Sequence, residues 1–111
     1  MVAARGYVPA RGDAVWVTLH HEQRGRRPAL VLSPAVYNRK VGLALLCPIM
    51  SQVKGYPFET AIPPGFAVSG VVLSDQVKSL DWRARRARLI APVPTRVVDE
   101  VLAKLQTLLR E

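Results

Sequence analysis

The chain has 111 residues, half of them apolar, and a formal charge of +8 from sixteen lysines and arginines against eight aspartates and glutamates. That length suits one compact domain, expected to span 1–111, rather than two. The charge favours polyanionic partners, nucleic acid first, although a basic surface kept for solubility is the plainer alternative. Most of the cations are arginines, which suit bidentate phosphate recognition and base stacking better than lysines do. Cys47 is the sole cysteine and lies in an apolar run, so a buried thiol and no internal disulfide are expected. No segment reads as a signal peptide or as a membrane span, and a cytoplasmic protein is the default expectation.

Gly12-Asp13 reads as a turn ahead of a first strand, Asp13 to Leu19, in which Val15, Val17 and Leu19 alternate with Ala14, Trp16 and Thr18. Pro28 to Ser33 reads as a second strand, stopped at Ser33-Pro34 because the residue before proline is kept out of helical space. Val36 to Arg39 is expected to form one helical turn. Further strands are expected over Leu43 to Ile49, Tyr56 to Ile62, Val71 to Ser74, Val77 to Leu80 and Arg88 to Ala91, with Pro63-Pro64-Gly65 as a sharp break. So many short strands point to a small barrel or strongly twisted sheet. The period then changes. Val98, Val101, Leu102, Leu105, Leu108 and Leu109 recur at helical spacing, with Thr95 as the expected N-cap, and this apolar stripe is expected to close the core or form a subunit contact.

The segment from His20 to Pro28 sets Glu22 among His20, His21, Arg24, Arg26 and Arg27. Metal binding is not expected, since the adjacent histidines would point to opposite faces if extended and no cysteine completes a zinc set. A nucleophile elbow and a phosphate loop are both missing from the sequence. What remains is a metal-free route open to RNA alone, in which a base takes the proton of the ribose 2′-hydroxyl and fixed cations hold the charge that builds on phosphorus. Glu22 can be that base and Arg27 that cation, with a histidine or water protonating the leaving oxygen. A solvated loop with an ordinary surface ion pair is the alternative. Trp82 beside Arg83, Arg85 and Arg86 offers a stacking surface for unpaired bases or, equally, a half-buried core residue with a solvated rim. Gln76 can read a base edge. Gln52 to Phe58, around Lys54 and Gly55, reads as a lid over substrate or as a plain hairpin loop.

Together these segments resemble the MazF/PemK/Kid family of toxin endoribonucleases from bacterial toxin–antitoxin systems. The resemblance runs through Tyr7-Val8-Pro9, Gly12 to Val17, Glu22-Gln23, Arg27 to Pro34, Tyr37-Asn38, Lys54 to Glu59, Asp75 to Ser79 and Trp82 to Arg85, then into the final helix. It implies a mainly β fold with α, an SH3-like small barrel with short helices and a C-terminal amphipathic helix. It also implies a homodimer, sequence-specific cleavage of single-stranded RNA without a cofactor, 2′,3′-cyclic phosphate and 5′-hydroxyl products, and inhibition by a cognate MazE-like antitoxin. For catalysis it assigns Glu22 and Arg27, and Gln23, Ser51, Lys54, Gln76, Trp82 and Arg83 are expected to position substrate.

Three features depart from the family pattern. The connection ahead of Glu22 is shorter than usual and carries His20-His21, and Met50 stands where many relatives have a threonine, with the Ser51 hydroxyl beside it as the substitute donor. The cluster Arg24, Arg26 and Arg27 is richer in arginine than the family usually shows. A gyrase-poisoning toxin of the CcdB kind, which shares the barrel, and a non-catalytic RNA-binding barrel are the alternatives.

Overall fold

The structure, a computed structural model, describes residues 6–18 and 25–110. Among them are seven strands: β1 (Asp13–Thr18), β2 (Arg26–Val31), β3 (Leu43–Met50), β4 (Glu59–Ala61), β5 (Val71–Leu73), β6 (Lys78–Asp81) and β7 (Arg88–Pro92). Helix α1 (Ala35–Val41) links β2 to β3, and α2 (Thr95–Gln106) follows β7. The strands form one antiparallel sheet in the order β4-β5-β3-β2-β1-β7. Strand β3 is the hinge of this sheet. Its first half, Leu43–Leu46, pairs with β6 and its last two residues pair with β5. Two strands therefore share one edge of β3, and the sheet must bend there to accommodate both.

Alternation along the strands sends side chains to both faces, and both are covered. Ala14, Leu30, Cys47, Ile49 and Val72 pack on one side under Val97, Val98 and Val101 of α2. Val15, Val17, Ala29, Val31, Ala44 and Leu46 pack on the other side against Trp82, with Tyr7, Val8, Leu80 and Ala87 at the margin. The N-terminal segment and the β6–β7 connection thus lie on the face opposite α2. Cys47 is fully buried, as its apolar run implied.

A polar hub ties these layers together. Asn38 of α1 has no exposed surface. Its amide nitrogen donates to the carbonyls of Pro9 (2.8 Å) and Ser33 (3.0 Å), and its Oδ1 accepts from the Ser33 hydroxyl at 2.6 Å. The Asn38 carbonyl accepts from the Trp82 indole at 2.9 Å, while Ser33 Oγ accepts from the Leu45 amide at 2.9 Å. One side chain thereby joins the N-terminal segment, α1 and the residues after β2, with every polar group of the Asn38 side chain satisfied.

Several sequence expectations need correction. The fourth strand narrows from Tyr56–Ile62 to Glu59–Ala61, because a turn that ends with the Glu59 amide donating to the Tyr56 carbonyl occupies its first residues. Strand β2 begins at Arg26, two residues before Pro28, and the single turn over Val36–Arg39 is a helix from Ala35 to Val41. Thr95 is the first residue of α2 rather than its cap. Pro94 holds the N-cap position with its carbonyl accepting from the Val97 amide, and no side chain caps the helix. The helix ends at Gln106, so Leu108 and Leu109 lie beyond it and are exposed, whereas Val97 joins the buried face.

Candidate active site

Arg27 stands on β2 directly opposite Val17 of β1 and is exposed. Residues opposite each other across an antiparallel pair share a face, so Arg27 lies on the Val17, Ala29 and Trp82 side of the sheet. Among the described residues its guanidinium makes no ion pair. Its neighbour Arg26 points the other way and stacks on Trp16, 4.4 Å from the ring centroid. The pair of adjacent basic residues is therefore divided by the pleat: one arginine is engaged by a cation–π contact, the other is open to a ligand. Glu22, Gln23, His20, His21 and Arg24 lie outside the described residues.

Strand β2 pairs with β3 from Val31↔Leu46 to Ala29↔Pro48, and both strands continue to the same end of the sheet, one to Arg26–Arg27 and the other to Ile49–Met50. Beyond Met50 opens a cleft of about 420 Å³ lined by Met50, Gln52, Lys54, Tyr56, Glu59, Leu73 and Gln76. Two of the expected substrate residues, Lys54 and Gln76, thus share one cleft. Ser51, exposed at the exit of β3, sits beside it.

The loop over this cleft is tied down at two points. The Glu59 carboxylate accepts from the backbone amides of Lys54 (3.1 Å) and Gly55 (3.1 Å), and the Tyr56 hydroxyl donates to Asp75 Oδ2. By accepting that hydrogen bond, Asp75 holds the Tyr56 phenol above its usual range. Lys104 of α2 donates to the Glu59 carbonyl at 2.6 Å and pairs with Glu100 at 3.0 Å. Of the two expectations for Gln52–Phe58, a braced hairpin loop is what the bonds describe. Gly70, which sequence reasoning passed over, also shapes the site. Its φ is +114°, and a Cβ there would stand 2.1 Å from the Met50 carbonyl oxygen, so a side chain at this position would displace the exit of β3.

Trp82 and Arg83 belong to a different place. The Trp82 ring is 5% exposed, its N–H is spent on Asn38, and the Arg83 guanidinium covers the ring at 4.6 Å from its centroid. With its edge bonded and its surface covered, this tryptophan builds the core, and the half-buried alternative describes it better than an open stacking platform. Arg83 is the exposed member of the pair. The burial that hides Trp82 depends on β1, β2 and β3 packing against it and on α1 bonding its indole, which local sequence could not reveal.

Between these two regions runs the end of β1. The Thr18 amide donates to the Arg85 carbonyl at 2.9 Å, and the Arg85 guanidinium donates to the Thr18 carbonyl at 3.1 Å. The chain leaves β1 at Thr18 toward Glu22, so the β6–β7 turn grips the root of the segment that carries the expected base. Chemically, the described part of the site offers an open guanidinium, a hydroxyl, an ammonium and an amide along one end of the sheet, the groups needed to hold a phosphodiester. Among the described residues no group of three His, Cys, Asp or Glu side chains is placed to hold a metal ion, and no helix is long and apolar enough to cross a membrane.

A family model described as the PemK-like, MazF-like toxin of type II toxin-antitoxin systems matches residues 10–109. The chain belongs to this family. It is 46% identical over 107 residues to the Escherichia coli K12 protein named endoribonuclease toxin MazF, covering 93% of this chain and 96% of that one. To the Escherichia coli endoribonuclease PemK it is 39% identical, covering 89% and 80% of the two chains. The fold superposes on MazF in a MazE–MazF crystal structure from Deinococcus radiodurans with a TM-score of 0.87 at 53% identity, covering 93% of this chain and 96% of that one. The Mycobacterium tuberculosis toxin MazF-mt6 gives a TM-score of 0.71 at 16% identity, covering 86% and 93% of the chains, and shares the fold. The mainly β architecture with a C-terminal helix is thus the MazF fold.

Proposed function

We propose that this chain is an endoribonuclease toxin that cuts single-stranded RNA at defined sequences by turning a ribose 2′-hydroxyl on its own 3′-phosphate. In that reaction Glu22 takes the hydroxyl proton, the new O–P bond closes a 2′,3′-cyclic phosphate, and the 5′-oxygen leaves as a hydroxyl after gaining a proton. Arg27 binds the phosphorane oxygens, whose negative charge grows in the transition state, and its fork of donors suits two of them at once. A guanidinium keeps its proton under ordinary conditions, so Arg27 is a charge stabiliser rather than a proton donor, which leaves the final protonation to His20, His21 or water. Ser51, Lys54 and Gln76 hold the strand at the cleft, Gln23 lies next to the base, and Arg83 acts farther along the same sheet face. No step calls for a metal ion or cofactor.

The observation that carries this proposal is the near full-length similarity to proteins named endoribonucleases, with Arg27 left open on the sheet. Similarity to MazF seated on MazE supports a cognate MazE-like antitoxin as the inhibitor, and the +8 charge suits both an acidic partner of that kind and RNA. The active form is proposed to be a homodimer of a single-domain chain, acting in the cytoplasm.

The experiment is to incubate the purified chain with a long transcript, with and without a chelator, and map the 5′ ends. Discrete 5′-hydroxyl ends that persist in chelator are expected. Arg27→Ala and Glu22→Gln should each lower cleavage by about 100- to 1000-fold while keeping the folded state, the loss typical of removing a transition-state group. Intact RNA together with cleavage complexes trapped on gyrase would replace this proposal with the CcdB-like one. Salt-sensitive RNA binding without new ends would leave only a binding barrel.

A further inference from the structure

A second cleft, of about 450 Å³, shares no lining residue with the first. Its walls are Tyr7, Val8, Trp82, Arg83, Arg86, Ala87 and Arg88. Three of these are arginines, and among the described residues none of the three makes an ion pair. Asp81, the acid of the same turn, does not line the cleft and spends an oxygen on the Ala84 amide at 3.0 Å. Such a concentration of unneutralised guanidinium groups is unfavourable in the free protein and is relieved when a polyanion enters.

Backbone geometry gives a second, independent sign. Arg86 has a φ of +58°, the one non-glycine residue in the left-handed region among those described. A side chain there crowds its own backbone, and glycine or asparagine is the usual occupant. The turn is fixed around it, with the Arg85, Arg86 and Ala87 amides donating to the Asp81, Arg83 and Trp82 carbonyls. Local strain of this kind is found at ligand sites, and here it falls on a residue that lines the cleft.

We infer that this cleft is a second RNA subsite, in which Arg83, Arg86 and Arg88 hold phosphates of the strand at a distance from the cut. The inference rests on the ribonuclease reading above. Tyr7, Val8, Trp82 and Ala87 pack on the same face of the sheet as Val17, which Arg27 opposes, so Arg27 and the cleft lie on one side of the sheet. The walls bring chiefly cations, because Trp82 is buried and the Tyr7 hydroxyl is spent on Asp13 at 2.7 Å. Contacts here are to phosphate and sugar, which add affinity and orientation without reading sequence.

The test uses the full chain and two RNAs containing a mapped cut site, a 40-nucleotide strand and a six-nucleotide strand. Arg86→Gly removes one guanidinium and suits the left-handed φ, so its unfolding midpoint should match or exceed that of the parent. Its kcat/KM should fall on the 40-mer and stay unchanged on the six-mer. The salt dependence of 40-mer binding should weaken by about 0.7 in log–log slope for each phosphate that the variant no longer holds, and Arg88→Ala should do the same. Equal losses on both RNAs, or an unchanged salt slope, would overturn the inference. So would variants that lose only the binding of polyglutamate, which would make the cleft a peptide site. If the parent protein cuts neither RNA, the ribonuclease proposal itself fails, a result distinct from any of these.

Discussion

Arg85 and Thr18 are bonded twice, once through the Thr18 amide to the Arg85 carbonyl at 2.9 Å and once from the Arg85 guanidinium to the Thr18 carbonyl at 3.1 Å. The backbone bond survives any substitution of residue 85, whereas the side-chain bond does not. Arg85→Ala should therefore leave the fold in place and loosen the end of β1 that leads to Glu22. The expected outcome is a fall of about tenfold in kcat with little change in KM, since misplacing a reacting group by a fraction of an ångström lowers the rate without removing substrate contacts. Single-turnover kinetics beside an unfolding curve checks this. A parallel drop in stability and activity would mean that Arg85 serves the fold alone.

Asn38 is the best place to test what holds the layers together. Asn38→Ala strands the Pro9 and Ser33 carbonyls, and Ser33 Oγ loses the acceptor of its proton. Each buried group left without a partner costs about 1–3 kcal/mol, so the variant should lose several kcal/mol of a stability that is typically only about 5–15 kcal/mol. Urea titration should show a much lower midpoint with an unchanged slope. A shift within experimental error would show that water replaces the hub.

Cys47 makes a pH-dependent prediction. Burial, reinforced by the charge of Asp75, pushes its thiol up from 9.0 to about 12. Between those values the unfolded chain has lost the proton that the folded chain keeps, so unfolding is increasingly favoured as the pH rises through this window. The contribution falls by up to about 1.4 kcal/mol per pH unit and is fully present below pH 9. Urea unfolding of the parent and of Cys47→Ala at pH 8 and pH 10.5 should show the gap between them shrinking at the higher pH. Tyr7, raised by burial and by its bond to Asp13, titrates in both proteins and cancels from the difference. A gap that does not change would mean that the thiol meets solvent in the folded state.

Much of the sheet could be read from the sequence because alternation is a local signal. Val15, Val17, Ala29 and Val31 occupy one face as the pattern requires. The period change at α2 was equally plain, since Val98, Val101, Leu102 and Leu105 recur at helical spacing and pack on the sheet. What could not be read depends on distant partners. Trp82 looks the same in sequence whether it stacks a base or caps the core, and only its bond to Asn38, forty-four positions away, decides between them. Gly70 matters through the Met50 carbonyl and Arg85 through Thr18, neither of them near in sequence. The catalytic proposal for Glu22 rests on residue types and family resemblance.

The most direct test of the proposed mechanism is to replace one sugar of an RNA substrate by 2′-deoxyribose at the mapped cut position, in metal-free buffer. With its attacking oxygen removed, that strand should remain intact at the substituted site while binding with near-normal affinity, and the all-ribose strand should be cut to a cyclic phosphate and a 5′-hydroxyl. Cleavage of the deoxy-substituted strand at the same bond would contradict attack by the ribose and, with it, the roles given to Glu22 and Arg27.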